Sequence, residues 1–168
     1  MKVLVMSDSH SGLSFMRTAI QAVKPDAVVH LGDHYEDAET IAEENPHIRF
    51  HQVPGNCDRY RMYKPCPETL CYPIGGVMIY MTHGHNHRVK MSLYSLLADA
   101  RAVGARIVLY GHTHIPQLYQ EEDGLWVMNP GACGSAGGSV GLLQLEQGSI
   151  ISCQLLAWDD LMRIKQGS

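Results

Sequence analysis

Arg106-Ile107-Val108-Leu109-Tyr110-Gly111-His112-Thr113-His114 decides how the chain folds. Its first five residues are an apolar run that reads as a buried strand, and Gly111 marks where the backbone leaves the sheet. Two imidazoles follow at once. In extended backbone residues i and i+2 face the same side, so His112 and His114 can converge on one locus while Thr113 points away as a spacer. The pair fits a metal site, and taken alone it fits a hydrogen-bonded rim as well.

Outward from this stretch, the same pattern recurs. Residues 2–7, apolar from Val3 to Met6, are consistent with a strand buried on both faces and end at Asp8-Ser9-His10. Leu13 to Val23 carries Phe15, Ala19, Ile20, Ala22 and Val23 near helical spacing before Lys24-Pro25 stops it. A second strand, Ala27 to Leu31, ends in Gly32-Asp33 and is followed by a short helix from Glu36 to Glu44. A third, Ile48 to Val53, ends at Pro54-Gly55-Asn56-Cys57-Asp58. Residues 59–72 lack periodicity and read as a surface loop. Tyr72-Pro73-Ile74 and Val77 to Met81 flank Gly75-Gly76 as a hairpin whose second strand delivers Thr82-His83-Gly84-His85. Val89 to Val103 reads as a helix stopped by Gly104, with Met91 and Tyr94 on its core face. Beyond His114, short runs at 117–119, 125–128, 142–145 and 150–156 predict a mostly antiparallel second half. The glycine-rich run from Gly134 to Gly141 reads as a loop. The expected organisation is one domain over residues 1–158 and a frayed or single-turn tail over 159–168.

Composition narrows the functional classes. At 168 residues the chain suits one compact domain. A formal net charge of −4 provides no field to hold a polyanion, so strong nucleic-acid binding is not expected. No apolar run approaches the roughly 20 residues that span a bilayer, and no signal peptide precedes the first strand, so a membrane role is not expected either. Five cysteines without Cys-x-x-Cys spacing argue against a disulfide framework or zinc ribbon and fit a reducing cytoplasm. Ten histidines are the compositional oddity, imidazole being the commonest transition-metal ligand.

Five strands thus end at Asp8/His10, Asp33, Asn56/Asp58, His83/His85 and His112/His114. Singly, Asp8 or Asp33 fits a helix N-cap and Asn56 fits a left-handed turn. Together they lie where α/β sheets build sites, in the crevice beyond the carboxyl ends of the strands. If two divalent ions sit roughly 3.5–4 Å apart, a carboxylate must bridge them, and Asp33 is the natural bridge. Carboxylates, imidazoles and one amide, with no thiolate required, suit Mn²⁺, Ni²⁺, Fe, Co²⁺ or Zn²⁺ better than Ca²⁺. His30, His34, His47 and His51 carry no spacing that requires a site role and read as structural.

Asp8-x-His10, Gly32-Asp33, Gly55-Asn56-x-Asp58, His83 and Gly111-His112-x-His114, in this order, resemble the calcineurin-like metallophosphoesterases, and most closely their small YfcE-type phosphodiesterase branch. The resemblance implies a mixed α/β fold, a four-layer α/β/β/α sandwich of two packed sheets. It implies two divalent ions per chain, Mn²⁺ foremost: one on Asp8, His10, Asp33 and His114, the other on Asp33, Asn56, His83 and His112. It also implies hydrolysis of a small phosphodiester by in-line attack of a metal-bridging hydroxide. Cys57 stands where the wider family has a histidine that contacts phosphate or protonates the leaving group, with Asp58 orienting it. Asp33, Asn56, Cys57 and Asp58 are therefore the catalytic candidates, and Asn56, His85 and Arg59 the substrate contacts. Arg61 and His87-Arg88 are further candidates for neutralising phosphate. Asn129-Pro130-Gly131 resembles another family motif, with Ala132 where serine is common, and is expected to shape the backbone. The same fold also occurs as a retromer subunit, so a weakly catalytic or non-catalytic interaction scaffold is the alternative, and homo-oligomers fit either reading.

Overall fold

The computed structural model describes residues 1–58, 66–134 and 137–167. The first half repeats strand and helix: β1 (Lys2–Met6), α1 (Leu13–Val23), β2 (Ala27–His30), α2 (Tyr35–Glu44) and β3 (Arg49–Gln52). A hairpin of β4 (Thr69–Ile74) and β5 (Val77–Thr82) leads to α3 (Tyr94–Ala102) and β6 (Ile107–Leu109). Then come β7 (Gln117–Gln120), β8 (Trp126–Asn129), β9 (Ser139–Glu146), β10 (Ser149–Ala157) and α4 (Trp158–Gln166). Two five-stranded mixed sheets result, in the orders β10-β9-β1-β2-β3 and β4-β5-β6-β8-β7.

Strict alternation along the central strands explains the layering. Val3 and Val5 of β1 join Val29 of β2, Ile79 and Met81 of β5, and Ile107 and Leu109 of β6 in a core between the two sheets. Leu4 and Met6 point the opposite way, against Met16 and Ala19 of α1 and Ile41 of α2. On the far face of the second sheet Tyr80, Val108 and Val127 meet Leu96, Leu97 and Ala100 of α3. Every central strand is covered on both sides, giving the expected helix/sheet/sheet/helix stack. β1, β2 and β3 run parallel in one sheet and β5, β6 and β8 in the other. Their carboxyl ends carry the loops that bear the candidate ligands.

Five segments differ from expectation, the first being the expected loop over 59–72, whose residues from Thr69 already belong to β4 and pair with β5. The predicted helix from Val89 starts only at Tyr94, because residues 84–92 form successive tight turns and Arg88 is left-handed at φ 53°. Met91 and Tyr94 consequently face solvent, at 86% and 82% exposure, instead of the core. The glycine-rich loop is shorter than expected: Ser139, Val140 and Gly141 already belong to β9, where Gly141 pairs with Val5 of β1 and Leu155 of β10. The second half is also less uniformly antiparallel, since β8 runs parallel to β6.

Residues 159–166 are helical rather than frayed. They complete α4, whose first turn is secured by Asp160 accepting the Ala157 amide at 2.9 Å. Trp158, Leu161 and Ile164 recur at three-residue spacing and pack on the α1 layer, with Trp158 against Phe15 at a ring separation of 5.2 Å. Leu161 is wholly buried. Leu161→Ala is therefore expected to lower unfolding stability by about 2–5 kcal/mol in urea titration while leaving metal affinity unchanged.

Candidate metal centre

Asp8, His10, Asp33 and His114 bring one ligand atom each into a cluster whose atoms all lie within 4.8 Å of one another. His114 Nε2 is 3.1 Å from Asp8 Oδ1 and 3.4 Å from His10 Nε2. Asp33 also faces a second group. His83 Nε2 lies 3.5 Å from Asp33 Oδ1 and 3.1 Å from Asn56 Oδ1, and the His112 ring stands 5.0 Å from that of His83. His83 Nδ1 donates to the Leu31 carbonyl at 2.7 Å, which fixes the tautomer and turns the Nε2 lone pair into the crevice. Three electron-pair donors then converge on one locus, an arrangement that a cation satisfies.

Burial agrees with this reading. Asp8 is fully buried, and its Oδ1, aimed at His114, makes no hydrogen bond. An uncompensated carboxylate oxygen inside a protein is costly, and a bound divalent ion removes the cost. Burial, reinforced by the neighbouring His83 and Lys90, pushes the His112 imidazole down to about 4, so it is neutral and able to ligate. Burial pulls the Asp33 carboxyl upward, but the Cys57 amide and the His83 ring outweigh it and hold Asp33 below the usual carboxylate range.

The loops are not extended. Asp8, His10, Asp33, His112 and His114 all take left-handed backbone, with φ between 42° and 67°. The same-side argument from extended i,i+2 spacing is thereby overturned: turns, not pleats, make the side chains converge. Left-handed φ in non-glycine residues is uncommon and strained, and it persists where surrounding contacts over-determine it.

Those contacts can be named. Asp58 is fully buried and accepts four backbone amides, from Asp33 (3.0 Å), His34 (2.8 Å), Tyr35 (3.0 Å) and Gly55 (2.7 Å). Through these bonds it clamps the Asp33 loop to the Asn56 loop. Asp37 Oδ2 accepts the Ser9 hydroxyl at 2.7 Å and the Ser11 amide at 2.8 Å, holding the turn that carries His10. Beneath it His30, kept neutral because burial pushes it down to about 4, lies 3.2 Å from Ser9 Oγ. No spacing in the sequence points to Ser9, Asp37 and His30 as site residues. The usable signal was Asp37 itself, a carboxylate on the buried stripe of α2 with Ala38 and Ile41. Thr113 is more than a spacer: it accepts the Asn129 amide at 3.0 Å, and the same amide group reaches the Gly111 carbonyl. Asn129 thus shapes the His112–His114 turn, as its motif suggested.

The remaining candidates divide. Cys57 donates its backbone amide to Asp33 Oδ1 at 2.9 Å, and burial followed by the carboxylates of Asp33, Asp58 and Asp8 pushes its thiol up to about 11. It is a protonated, weak donor rather than a thiolate. The His85 ring lies 5.4 Å from that of His83 and 6.2 Å from that of His112, on the rim of the second group. His87 does not turn to the crevice: its Nε2 is 3.3 Å from the Tyr80 hydroxyl and 3.2 Å from Asp99, tying its loop to α3. Arg59 and Arg61 lie outside the described residues. Asp58→Asn replaces an acceptor of four amides with a half-donor, so it is expected to weaken Mn²⁺ binding about 10–100-fold in calorimetric titration, although Asp58 is no ligand.

Comparison with known proteins agrees with the site. The chain is 32% identical over 149 residues to "Phosphodiesterase MJ0936" of Methanocaldococcus jannaschii, covering 79% of this chain and 84% of that one. A conserved protein from Streptococcus pneumoniae TIGR4, described as a predicted phosphoesterase, superposes with a TM-score of 0.72 at 26% identity, over 94% of this chain and 90% of that one. A single mutant of Vps29 from Entamoeba histolytica gives a TM-score of 0.70 at 21% identity, over 94% and 99% of the two chains, and shares the fold alone. The calcineurin-like phosphoesterase superfamily domain is matched by residues 1–148, a span that contains every donor group, and the chain belongs to that family.

Proposed function

We propose that the chain is a phosphodiesterase working with two divalent ions, Mn²⁺ foremost, in the cytoplasm, on a small phosphodiester. The observation that carries this is the position of Asp33. Its carboxylate belongs to the Asp8/His10/His114 cluster and also stands 3.5 Å from His83, so one side chain serves two neighbouring donor groups. Family membership implies metal-dependent phosphoester chemistry, and the phosphodiesterase name of the archaeal relative supports the diester. When bound, the ions supply Lewis acidity to a phosphoryl oxygen and lower the pKa of water to about 7.

What the chain's own groups do follows from their geometry. Asp8, His10 and His114 form one wall, His83, Asn56 and His112 the other, and Asp33 holds the two at fixed separation. Neutral His112 presents a lone pair without a competing proton, and His83, held through Nδ1 by the Leu31 carbonyl, turns Nε2 toward the crevice. His85, whose ring lies beside those of His83 and His112, would donate to a substrate oxygen. Cys57 offers at most a weak proton to a leaving alcohol, which favours diesters whose leaving groups depart unaided. Among the described residues no helix is long and apolar enough to cross a membrane. The scaffold alternative has the Vps29 likeness behind it, which is a likeness of fold alone, whereas the donor set is complete in this chain.

Purified protein screened with Mn²⁺, Ni²⁺, Fe and Zn²⁺ should hydrolyse a chromogenic phosphodiester faster than the matching monoester, and silence with every metal on both esters would favour the scaffold. Asp33→Asn should reduce turnover at least about a hundredfold by removing the shared ligand. Cys57→His should raise rates on esters with poor leaving groups by about 10²-fold relative to good ones, and an unchanged profile would remove the role given to Cys57.

A further inference from the structure

The loop after β5 leaves the metal centre and at once turns back on it. The Gly84 carbonyl, next to the ligand His83, accepts the amides of His87 at 3.1 Å and Val89 at 3.3 Å, and the His85 carbonyl accepts Arg88 at 3.1 Å. Val89 is buried against Gly84, so close that a Cβ on the glycine would come within 2.9 Å of a valine methyl. The far side of the loop is tied to α3, where His87 Nε2 stands 3.2 Å from Asp99 and the His87 carbonyl accepts the Ser95 hydroxyl at 3.1 Å. Lys90 therefore leaves a pinned loop beside the residue that follows His83.

Charge on this wall is one-sided. No aspartate or glutamate occurs from residue 69 to 98, in a chain that carries 17 of them. Lys90 is exposed and has no carboxylate partner among the described residues. Its field reaches the second donor group: after burial and the neighbouring His83, the Lys90 charge is the next cause that lowers the His112 pKa. A cation so placed opposes the ion that His112 would hold, a cost that an anionic ligand offsets. The reacting phosphoryl group does not require it, because two divalent ions on Asp8 and Asp33 already outweigh the single negative charge of a diester.

We propose that Lys90 is a substrate-binding residue that selects phosphodiesters bearing a second anionic group on the half lying toward His83 and His112. The assignment rests on the two-ion phosphodiesterase reading for the position of the reacting group. The ammonium meets that anion as a point charge on a flexible stem, so arginine can replace it, whereas uncharged glutamine cannot.

The test compares two chromogenic diesters with the same leaving group, 4-nitrophenyl 3-carboxypropyl phosphate and 4-nitrophenyl pentyl phosphate, on the Mn²⁺-loaded chain. The carboxylate should be preferred about tenfold in kcat/KM, with the difference in KM rather than kcat. Lys90→Gln should bring that ratio to about one, and Lys90→Arg should keep it. Lys165→Gln, which removes the same charge from α4 on the α1 side of the sandwich, should keep it as well. Binding without turnover is read by calorimetric titration with (3-carboxypropyl)methylphosphinate and pentylmethylphosphinate, whose P–C bonds are not hydrolysed. The first should bind about tenfold tighter, and Lys90→Gln should abolish the difference. Equal binding of the two phosphinates, or a preference that survives Lys90→Gln, would overturn the role of Lys90 whether or not the diesters are hydrolysed. Silence toward both diesters with the phosphinate preference intact would overturn the phosphodiesterase reading and leave the anion site standing.

Discussion

A carboxylate shut off from the protein surface sits where the two sheets meet. Asp8 leaves β1 of the first sheet fully buried, and its Oδ2 accepts the Ser7 hydroxyl at 2.6 Å and the His112 amide at 3.1 Å. The second of these bonds crosses from one sheet to the loop after β6 in the other. Gly111 passes so close that a Cβ there would overlap Ser7 Oγ and come within 2.9 Å of Asp8 Oδ2. Only glycine permits this approach, which is the physical reason for the Gly-His-x-His order. With Oδ2 satisfied by the protein, Oδ1 is left for a cation. One charge therefore joins the sheets and serves the chemistry, and the remaining loops are arranged around it.

Most of the centre is built on backbone that L-residues adopt reluctantly. Five of the candidate ligands are left-handed, and their conformations are held from behind. Asp58 gathers four amides from two loops, Asp37 holds the Ser9–Ser11 turn, and Asn129 bridges Gly111 and Thr113. Each of these groups is buried and polar, and each is satisfied by backbone or hydroxyl partners rather than by the crevice. Such fixed surroundings give preorganisation: the donors need little rearrangement when the ion arrives.

Much of this was legible in the sequence because two strong periodicities coincide with chemistry. Apolar runs such as Val3-Leu4-Val5-Met6 and Ile107-Val108-Leu109 can be little else than strands covered on both faces, and each ends in a ligand type. The ordered ligand set then followed from counting strand ends. The left-handed turns were not legible, since Asp8 or His112 has the same identity in a pleat or in a turn. Nor were the clamps, because Asp58, Asp37 and His30 act through contacts distant in sequence. Local propensity misplaced the start of α3, where left-handed Arg88 and the packing of Val89 on Gly84 interrupt the helical pattern. It also missed α4, whose Trp158/Leu161/Ile164 stripe is short and embedded among charges.

The bond from the His112 amide to Asp8 spans 104 residues of chain, and so does the approach of His10 to His114. Contacts of such long sequence separation carry a large loop-closure entropy and form late in folding. As the chain emerges from synthesis, the Asp8 turn exists long before the histidines that complete the centre. An ion meeting that early half encounters only two carboxylates and one imidazole from the first two loops. The full donor set exists only once the second sheet has docked, so a completed centre is a report on finished folding.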